Sequence, residues 1–474
     1  MRNPAVPLSI AAIAVIGAAS LGRSGVTVGS REPLSFAIAP SDTGGTIERA
    51  FTVPAGVESL AIEPSVTTVD RAGLIEIGVR SPSGLRGWSG ERRAPIVLSR
   101  LSASYGYLPG PIEPGRWTIV VAVSRLRASA TCTFRIAANT GSSTPRPRLS
   151  PRGGWLAGDL HTHSGHSDGY TVNGGLEAPV PVADIVERAS RQHLDFVAVT
   201  DHNTTSHWAD LDRLQPSAPK TLLLHGREMT TYRGHFNAIG GQRFTEFLLG
   251  PGRPLRLIAA DAAADGAFLS INHPAVPDDD ECIRCGWMDT DDDTIRQIHG
   301  VEIVNGATFD PDLTGWRFWA DLLNRGHRLT AVGGSDTHDP RHGTLGQPTT
   351  MVQAASLWEP AIVDALKSGR AYVRSSSVSP RLESFTATVD GAVFDMGSLL
   401  PVGAATLTAH LLGADGQTIA WIRRGAEVSR QPISGADAFA RIDVTAAPDD
   451  WFSVVLRTGE GDATLFSNAI YTRR

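Results

Sequence analysis

The stretch from Trp155 to Gly169 reads W-L-A-G-D-L-H-T-H-S-G-H-S-D-G. It begins as an apolar strand, Leu156 to Leu160, and breaks at once into histidines, small residues and acids. Alternate side chains of an extended segment share a face, so His161 and His163, either side of Thr162, project together and can grip one cation. Asp168 follows beyond Gly165, where a turn can return its carboxylate to the same pocket. Alone the pair is a weak signal, because one strand-end histidine is more often a hydrogen-bonded loop residue.

The pattern recurs downstream. Strands are expected at Phe196 to Thr200, Thr221 to Leu224, Phe236 to Ile239, Ala267 to Ile271, Val301 to Val304 and Leu329 to Val332. Helical periodicity separates several of them, at Val182 to His193, Leu255 to Ala264 and Leu313 to Arg325. Alternating β and α of this kind implies a parallel sheet, and about seven repeats imply a closed or nearly closed barrel. The polar clusters T-D-H-N-T, G-R-E-M-T, N-H-P, I-V-N-G and G-G-S-D-T-H all fall at carboxyl ends of these strands. In a barrel those ends share one face, so residues far apart in sequence meet there. His161, His163, Asp168, His202, Glu228, His235, His273, Asp336 and His338 then form one set of six imidazoles and three carboxylates. That mix, without thiolate, suits zinc, manganese or iron. His166, His207, His225 and His342 are read as loop or supporting residues, and Asp159 and Asp201 as acids that orient neighbouring histidines.

Composition agrees with where the chemistry is placed. Thirteen of the 14 histidines lie between His161 and His342. The 474 residues carry a formal charge of −6, so no general basic field exists to hold nucleic acid non-specifically, and a small-molecule partner fits better. Lysine occurs only at Lys220 and Lys367, which leaves few candidates for Schiff-base chemistry. Neither a G-x-S-x-G elbow nor a G-x-x-x-x-G-K phosphate loop is present, which disfavours a serine hydrolase or a nucleotide motor.

Outside this region the texture is that of short strands and turns, and residues 24–140 and 380–474 each read as a β-sandwich. Residues 141–154 lack apolar periodicity and read as a linker to the 155–375 barrel. Residues 1–20 carry Arg2, an apolar stretch from Ala5 to Ala19 and small residues, the order of a secretory signal peptide, so export to the periplasm or medium is expected. No stretch is long and apolar enough to suggest a membrane span. Cys282 and Cys285 form C-I-R-C within an acidic segment, where a small disulfide loop and two reduced thiols are both open. The oligomeric state is not legible.

The ordered motifs H-x-H, D-G, T-D-H, G-x-E, N-H-P and G-S-D-x-H resemble the PHP (polymerase and histidinol phosphatase) metallohydrolase superfamily. The resemblance spans roughly Trp155 to Ser375. It implies an α/β fold, a distorted (β/α)7 TIM-like PHP barrel, here flanked by N-terminal and C-terminal β-sandwich domains, with about two to three divalent metals. By the same resemblance His161, His163, Glu228 and Asp336 would hold one metal. Glu228, as a bridge, would hold a second with His235 and His273, and Asp168, His202 and His338 a third. R-G-W-S-G at Arg86 to Gly90, with Y-L-P-G-P and P-G-R-W up to Trp117, looks like the N-terminal domain of the CehA/McbA-type, carbaryl hydrolase-like branch.

The activity this implies is hydrolysis of an ester-type bond in a small molecule, a phosphoester or a carbamate or aryl ester. The nucleophile would be a hydroxide bridging two metals. Glu228 and Asp336 would sit at the reacting centre, and Arg233 and Arg341 are candidates to clamp an anionic substrate. An apolar wall could come from Trp287, Phe309, Trp316 and Trp319. The rival reading is an exported carbohydrate- or surface-binding protein with a vestigial metal site, stacking ligands on Trp88, Tyr105, Tyr107 and Trp117; turn and core packing fits those aromatics better.

Overall fold

Period-two alternation shapes the first part of the chain, where Ser59–Thr68 buries Leu60 and Ile62 and turns Glu63 and Ser65 outward. Strands of this kind form two sheets, one of five strands and one of four, sharing a core that includes Phe51, Trp117 and Phe134. Pairing is antiparallel except where Val26–Thr27 joins Phe51 and Thr52. Trp117 and Tyr107 are buried, and Trp88 Nε1 donates to Glu76 Oε2 at 2.9 Å, so these aromatics pack rather than form a stacking platform. Cys132 is a free, buried thiol in this core, and burial pushes its pKa up to about 11.

This is a computed structural model. It describes Val26, Thr27 and residues 33–473, apart from residues 71, 91–92, 101–102, 105, 140–147, 174–175, 242, 277–284, 307–314, 342–344 and 376–379. The expected signal peptide, the first half of the expected linker, Tyr105, Cys282, Phe309 and His342 lie outside the described residues. The described chain divides into two compact units, the first drawn mainly from residues 26–141 and the second running on to residue 473.

The second unit begins with β1 (Gly154–Asp159), β2 (Phe196–Val199) and β3 (Leu222–Thr231), paired in parallel. It continues with β4 (Gly234–Ile239), β5 (Phe268–Ile271), β6 (Gly300–Asn305), β7 (Thr330–Gly334), β8 (Thr349–Ala354) and β9 (Ala371–Arg374). Helix α1 (Val182–Arg191) shows why the crossovers form. Val182, Ile185, Val186 and Ala189 make one buried stripe at helical spacing, Asp184 sits in the first turn, and Arg188 and Arg191 sit in the last, each complementing the helix dipole. The helix stops where His193 turns left-handed at φ 58°. Burying one such side chain contributes about 1.5–3 kcal/mol, so Ile185→Asp would detach α1. The other helices are α2 (Trp208–Leu214), α3 (Leu255–Ala264), the short α4 (Asp292–Ile295), α5 (Trp316–Asn324) and α6 (Glu359–Lys367).

The expected parallel closed barrel is not what forms. Strand β4 follows β3 through a tight hairpin with no helix between them, so it runs antiparallel to β3, and it pairs antiparallel with β5 as well. Strand β8 takes the free edge of β1 in antiparallel pairing, the edge that β7 would need for closure. The sheet order is therefore β7-β6-β5-β4-β3-β2-β1-β8-β9, and it runs on through Ala463–Ser467, Trp451–Arg457, Thr418–Arg423 and Ala426–Pro432. A separate four-stranded sheet covers this extension, and the two share a core containing Trp421, Phe385 and Phe452. The ends of the run do meet where the site lies, since Thr162 bridges in parallel to Thr337. Among the described residues no helix is long and apolar enough to cross a membrane.

Candidate metal centre

His161 and His163 leave the end of β1 fully buried. The backbone fixes them: His161 N donates to Asp159 Oδ1 (3.1 Å), His163 N to Thr337 O (3.0 Å), and Asp336 N to His161 O (2.8 Å). Asp336, after β7, has φ 52°, and His273, after β5, has φ 28°. Non-glycine residues adopt such backbone at a cost and keep it where the surroundings over-determine it, as at functional sites. Gly334 is required here, since a Cβ would lie 2.3 Å from His161 Cβ and 2.6 Å from Glu302 Oε1.

Glu228, fully buried on β3, is the hub. Its Oε2 lies 3.3 Å from His161 Nε2, 3.4 Å from His163 Nε2 and 3.0 Å from His202 Nδ1. Its Oε1 lies 3.2 Å from His235 Nδ1 and 3.4 Å from His273 Nε2, and accepts from Asn272 Nδ2 at 2.8 Å. An ionised carboxylate offers about four acceptor sites, so five imidazoles and an amide cannot all be satisfied by it. They are not: both ring nitrogens of His163, Nδ1 of His235 and Nδ1 of His273 are buried without a hydrogen bond. His163 Nε2 even lies 2.9 Å from Asp336 Oδ1, with the separation of a hydrogen bond but not its direction. Buried polar atoms left unmatched are costly, and ring nitrogens that converge without pairing fit divalent cations.

Ligand atoms gather in four overlapping groups: His161, His163 and Asp336; His161, Glu228 and His273; His163, Asp168, His202 and His338; and His235, His273 and Cys285. All nine residues singled out in the sequence are thus brought together. The partition differs from the implied one in two respects, since His163 also reaches the Asp168 group and Cys285 stands beside His235 and His273. Cys285 is disulfide-bonded, so it offers no thiolate there. The centre is graded in depth. His161, His163 and Glu228 form a closed floor, while the side chains of His202, His338 and Asp168 are 25%, 33% and 55% exposed. The open rim is therefore the Asp168 side, where the His163 ring stacks on His202 and His338 at 4.4 and 4.2 Å.

A ring of supporting residues aims these ligands. Glu302, buried on β6, accepts at Oε1 from His161 Nδ1 (3.0 Å) and at Oε2 from His273 N (2.9 Å) and Asn305 Nδ2 (3.0 Å). With a metal bound, that contact would keep the His161 proton on Nδ1 and leave Nε2 to the metal. Asn305 also donates to Asp336 Oδ2 at 3.2 Å, and His202 Nδ1 lies 2.5 Å from Thr230 Oγ1. Glu302 escaped the sequence reading, although an acid within the otherwise apolar G-V-E-I-V was a signal for it. Asp159 orients His161 through its backbone, as expected. Asp201 accepts from Ser164 N, Ser164 Oγ and Ser167 Oγ at 2.7, 2.7 and 2.8 Å and so pins the loop after β1, and the histidine beside it is His207, whose Nδ1 lies 3.0 Å away.

Charge follows this geometry. Burial drives His161, His202, His273 and His338 toward neutrality, but neighbouring carboxylates outweigh it and raise all four, His202 to about 10. Burial likewise opposes ionisation of Glu228 and Asp336, and the surrounding imidazoles hold both well below the ordinary carboxylate range. His163, unlike those four imidazoles, is lowered, because its burial dominates.

Other expected residues lie apart from these contacts. Arg233 is exposed at the tip of the β3–β4 hairpin, and Arg341 Nε lies 3.6 Å from Asp339 Oδ1. Of the described residues expected in an apolar wall, Trp319 is fully buried, Trp316 packs against the core, and Trp287 covers Gly234 and donates Nε1 to Asp289 O. Apolar side chains flank the centre elsewhere, at Tyr232 and Phe247 to Leu249.

No family model matches the chain, and no curated protein does. Among solved structures it is similar to a two-domain protein containing a predicted PHP-like metal-dependent phosphoesterase from Bacteroides vulgatus, at 19% identity over 70% of this chain and 100% of that one, TM-score 0.37. An amidohydrolase from Chromobacterium violaceum with bound sulfate and no metal matches at 18% identity over 40% of this chain and 89% of that one, TM-score 0.29. PsfC from Pseudomonas syringae matches at 16% over 46% and 89%, TM-score 0.33. Likenesses this distant assign neither family nor activity.

Proposed function

We propose that this chain is a metal-dependent hydrolase of the PHP type that cleaves an ester-type bond, a phosphoester or a carbamate or aryl ester, in a small molecule. The observation that carries this is Glu228: one fully buried carboxylate within 3.4 Å of five imidazoles, more donors than it can accept from. His161, His163, Glu228 and Asp336 would hold one divalent cation, His235 and His273 with Glu228 a second, and Asp168, His202 and His338 a third. Cations held there supply Lewis-acid activation of water and of the ester oxygen. The chain's own part is positional: Glu302 fixes the His161 tautomer, Asn272 and Asn305 fix Glu228 and Asp336, and the buried floor keeps bulk water away. Substrate enters over the exposed Asp168 rim. Arg233 and Arg341 are the proposed contacts for an anionic substrate.

The apolar stretch after Arg2 supports export, and the disulfide at Cys285 fits an oxidising compartment. The deciding experiment is a screen of the manganese-, zinc- and iron-loaded protein against aryl phosphates, phosphodiesters, aryl carboxylates and N-methylcarbamates, with and without chelator. Chelator-sensitive turnover of one class is the expected result. No turnover of any class would overturn the proposal.

A further inference from the structure

The sulfur of Cys285 belongs to the ligand cluster by position. Its Sγ, one ring nitrogen of His235 and one of His273 all lie within 4.8 Å of one another, and the three residues are 2%, 5% and 5% exposed. The imidazoles have capacity to spare, since His235 Nδ1 and His273 Nδ1 are buried without a hydrogen bond. Glu228 Oε1 closes the set, 3.2 Å from His235 Nδ1 and 3.4 Å from His273 Nε2. Two imidazoles, a carboxylate and a sulfur are the four ligands of a closed zinc site. Only the oxidation state of the sulfur keeps that set incomplete: Cys285 is disulfide-bonded, and a disulfide sulfur has no thiolate charge to offer a cation.

More than that bond holds Cys285 in place. Trp287 N donates to Pro274 O at 3.4 Å and Met288 N to Arg233 O at 3.0 Å, which ties the segment to the loop after β5 and to the β3–β4 hairpin. Trp287 covers Gly234, where a Cβ would lie 2.7 Å from Trp287 Cε3. Gly286 runs so close to the loop after β5 that a Cβ there would lie 2.9 Å from Val276 O. Breaking the disulfide therefore leaves the sulfur beside His235 and His273.

We infer that the Cys285 disulfide is a redox switch on the second cation, and that its reduction frees a thiolate to join His235, His273 and Glu228 as a ligand. The inference rests on the hydrolase reading and adds its regulation. A dithiol supplies the two electrons: the S–S bond breaks, Cys285 and its partner cysteine each become thiols, and the dithiol closes to its own disulfide. The Cys285 thiol gives up its proton on binding the cation. Four protein ligands leave no position for water, and a thiolate favours zinc over manganese, so the reduced chain binds zinc tightly and hydrolyses slowly. Oxidation withdraws the sulfur and reopens the position.

The test uses full-length protein, stripped of metal and loaded with cobalt(II). Wild type and Cys285→Ser are compared before and after reduction with dithiothreitol, which is then removed. Cys282→Ser, kept under argon, deprives Cys285 of the other cysteine of C-I-R-C without any reductant. Thiolate on cobalt gives an intense near-ultraviolet charge-transfer absorption that imidazole and carboxylate do not. We expect it in reduced wild type and in Cys282→Ser, and neither in oxidised wild type nor in reduced Cys285→Ser. Losing an outer partner of a metal ligand already costs about 10–100-fold in affinity, so zinc affinity should rise about tenfold or more when wild type is reduced, with no rise in Cys285→Ser and none for manganese. Cobalt bound by reduced wild type without the absorption, or the absorption surviving in reduced Cys285→Ser, overturns the inference and leaves ester hydrolysis standing. The expected absorption with no ester turned over by oxidised wild type upholds the thiolate ligand and sinks the hydrolase reading instead. Failure of every form to bind cobalt sinks both.

Discussion

Glu302→Gln is a sharp test of how the centre is held, because it preserves shape and removes one charge. Glu302 uses both oxygens: one faces His161 Nδ1 at 3.0 Å, the other accepts from His273 N and Asn305 Nδ2 at 2.9 and 3.0 Å. Glutamine has one oxygen to offer. If its amide NH2 faces His273 N and Asn305, two buried donors lose their acceptor, at about 1–3 kcal/mol each. If it faces His161, Nδ1 must accept, and the proton moves to Nε2, the nitrogen that points at Glu228 and Asp336. The second costs less in folding and spoils a ligand. Losing such an outer partner typically lowers metal affinity about 10–100-fold, or roughly 1.4–2.8 kcal/mol. Competitive chelator titration with zinc or manganese measures this, and thermal unfolding shows whether the fold is kept. Wild-type affinity and stoichiometry in folded Glu302→Gln would refute the tautomer reasoning.

Three further outcomes follow from the same geometry. Glu228→Ala should lose more activity than Asp168→Ala, since Glu228 touches five imidazoles at the floor and Asp168 sits on the exposed rim; near wild-type turnover in both would mean the centre lies elsewhere. In metal-free protein the carboxylates raise His161, His202, His273 and His338, His202 to about 10, so a metal must displace protons held more firmly than on a free imidazole. Metal affinity should therefore rise with pH, and calorimetric enthalpies should depend on the buffer; buffer-independent enthalpies would contradict this. Asp201 is lowered to about 2, burial being outweighed by His207 and the Ser164 and Ser167 hydroxyls. A depressed carboxylate stabilises the fold above its ordinary value of 3.8 and loses that contribution as pH falls through about 2. Asp201→Asn should then be about 2 kcal/mol less stable than wild type in neutral denaturant titrations, the gap narrowing below pH 4; a pH-independent gap would count against the ionised Asp201.

What was legible in the sequence was what periodicity and strand-end chemistry encode. Strands at Phe196, Ala267, Val301 and Leu329 and helices at Val182 and Leu255 form within a few residues of where the pattern puts them. Of the nine ligand candidates, His161, His163, His202, His273, Asp336 and His338 follow strand ends and Asp168 stands in the loop after β1, whereas Glu228 and His235 lie within β3 and β4. Pairing direction was not legible, since β4 has the same apolar texture whether its neighbours run parallel or antiparallel; only the short T-Y-R-G connection marked a hairpin. Closure failed for a related reason, because nothing in T-T-M-V-Q-A says that β8 will claim the edge of β1. Tryptophans suggested the apolar wall, but Trp319 serves the core, and the exposed apolar residues sit in the 243–250 loop, which has no periodicity to read.

The most direct measurement is elemental analysis of the full chain, stripped with chelator and reloaded with manganese, zinc or iron, with hydrolysis followed on the same samples. The account predicts about two to three metals per chain, activity lost on stripping and recovered on reloading. Fewer than about one metal per chain, with hydrolysis untouched by chelator, would contradict it.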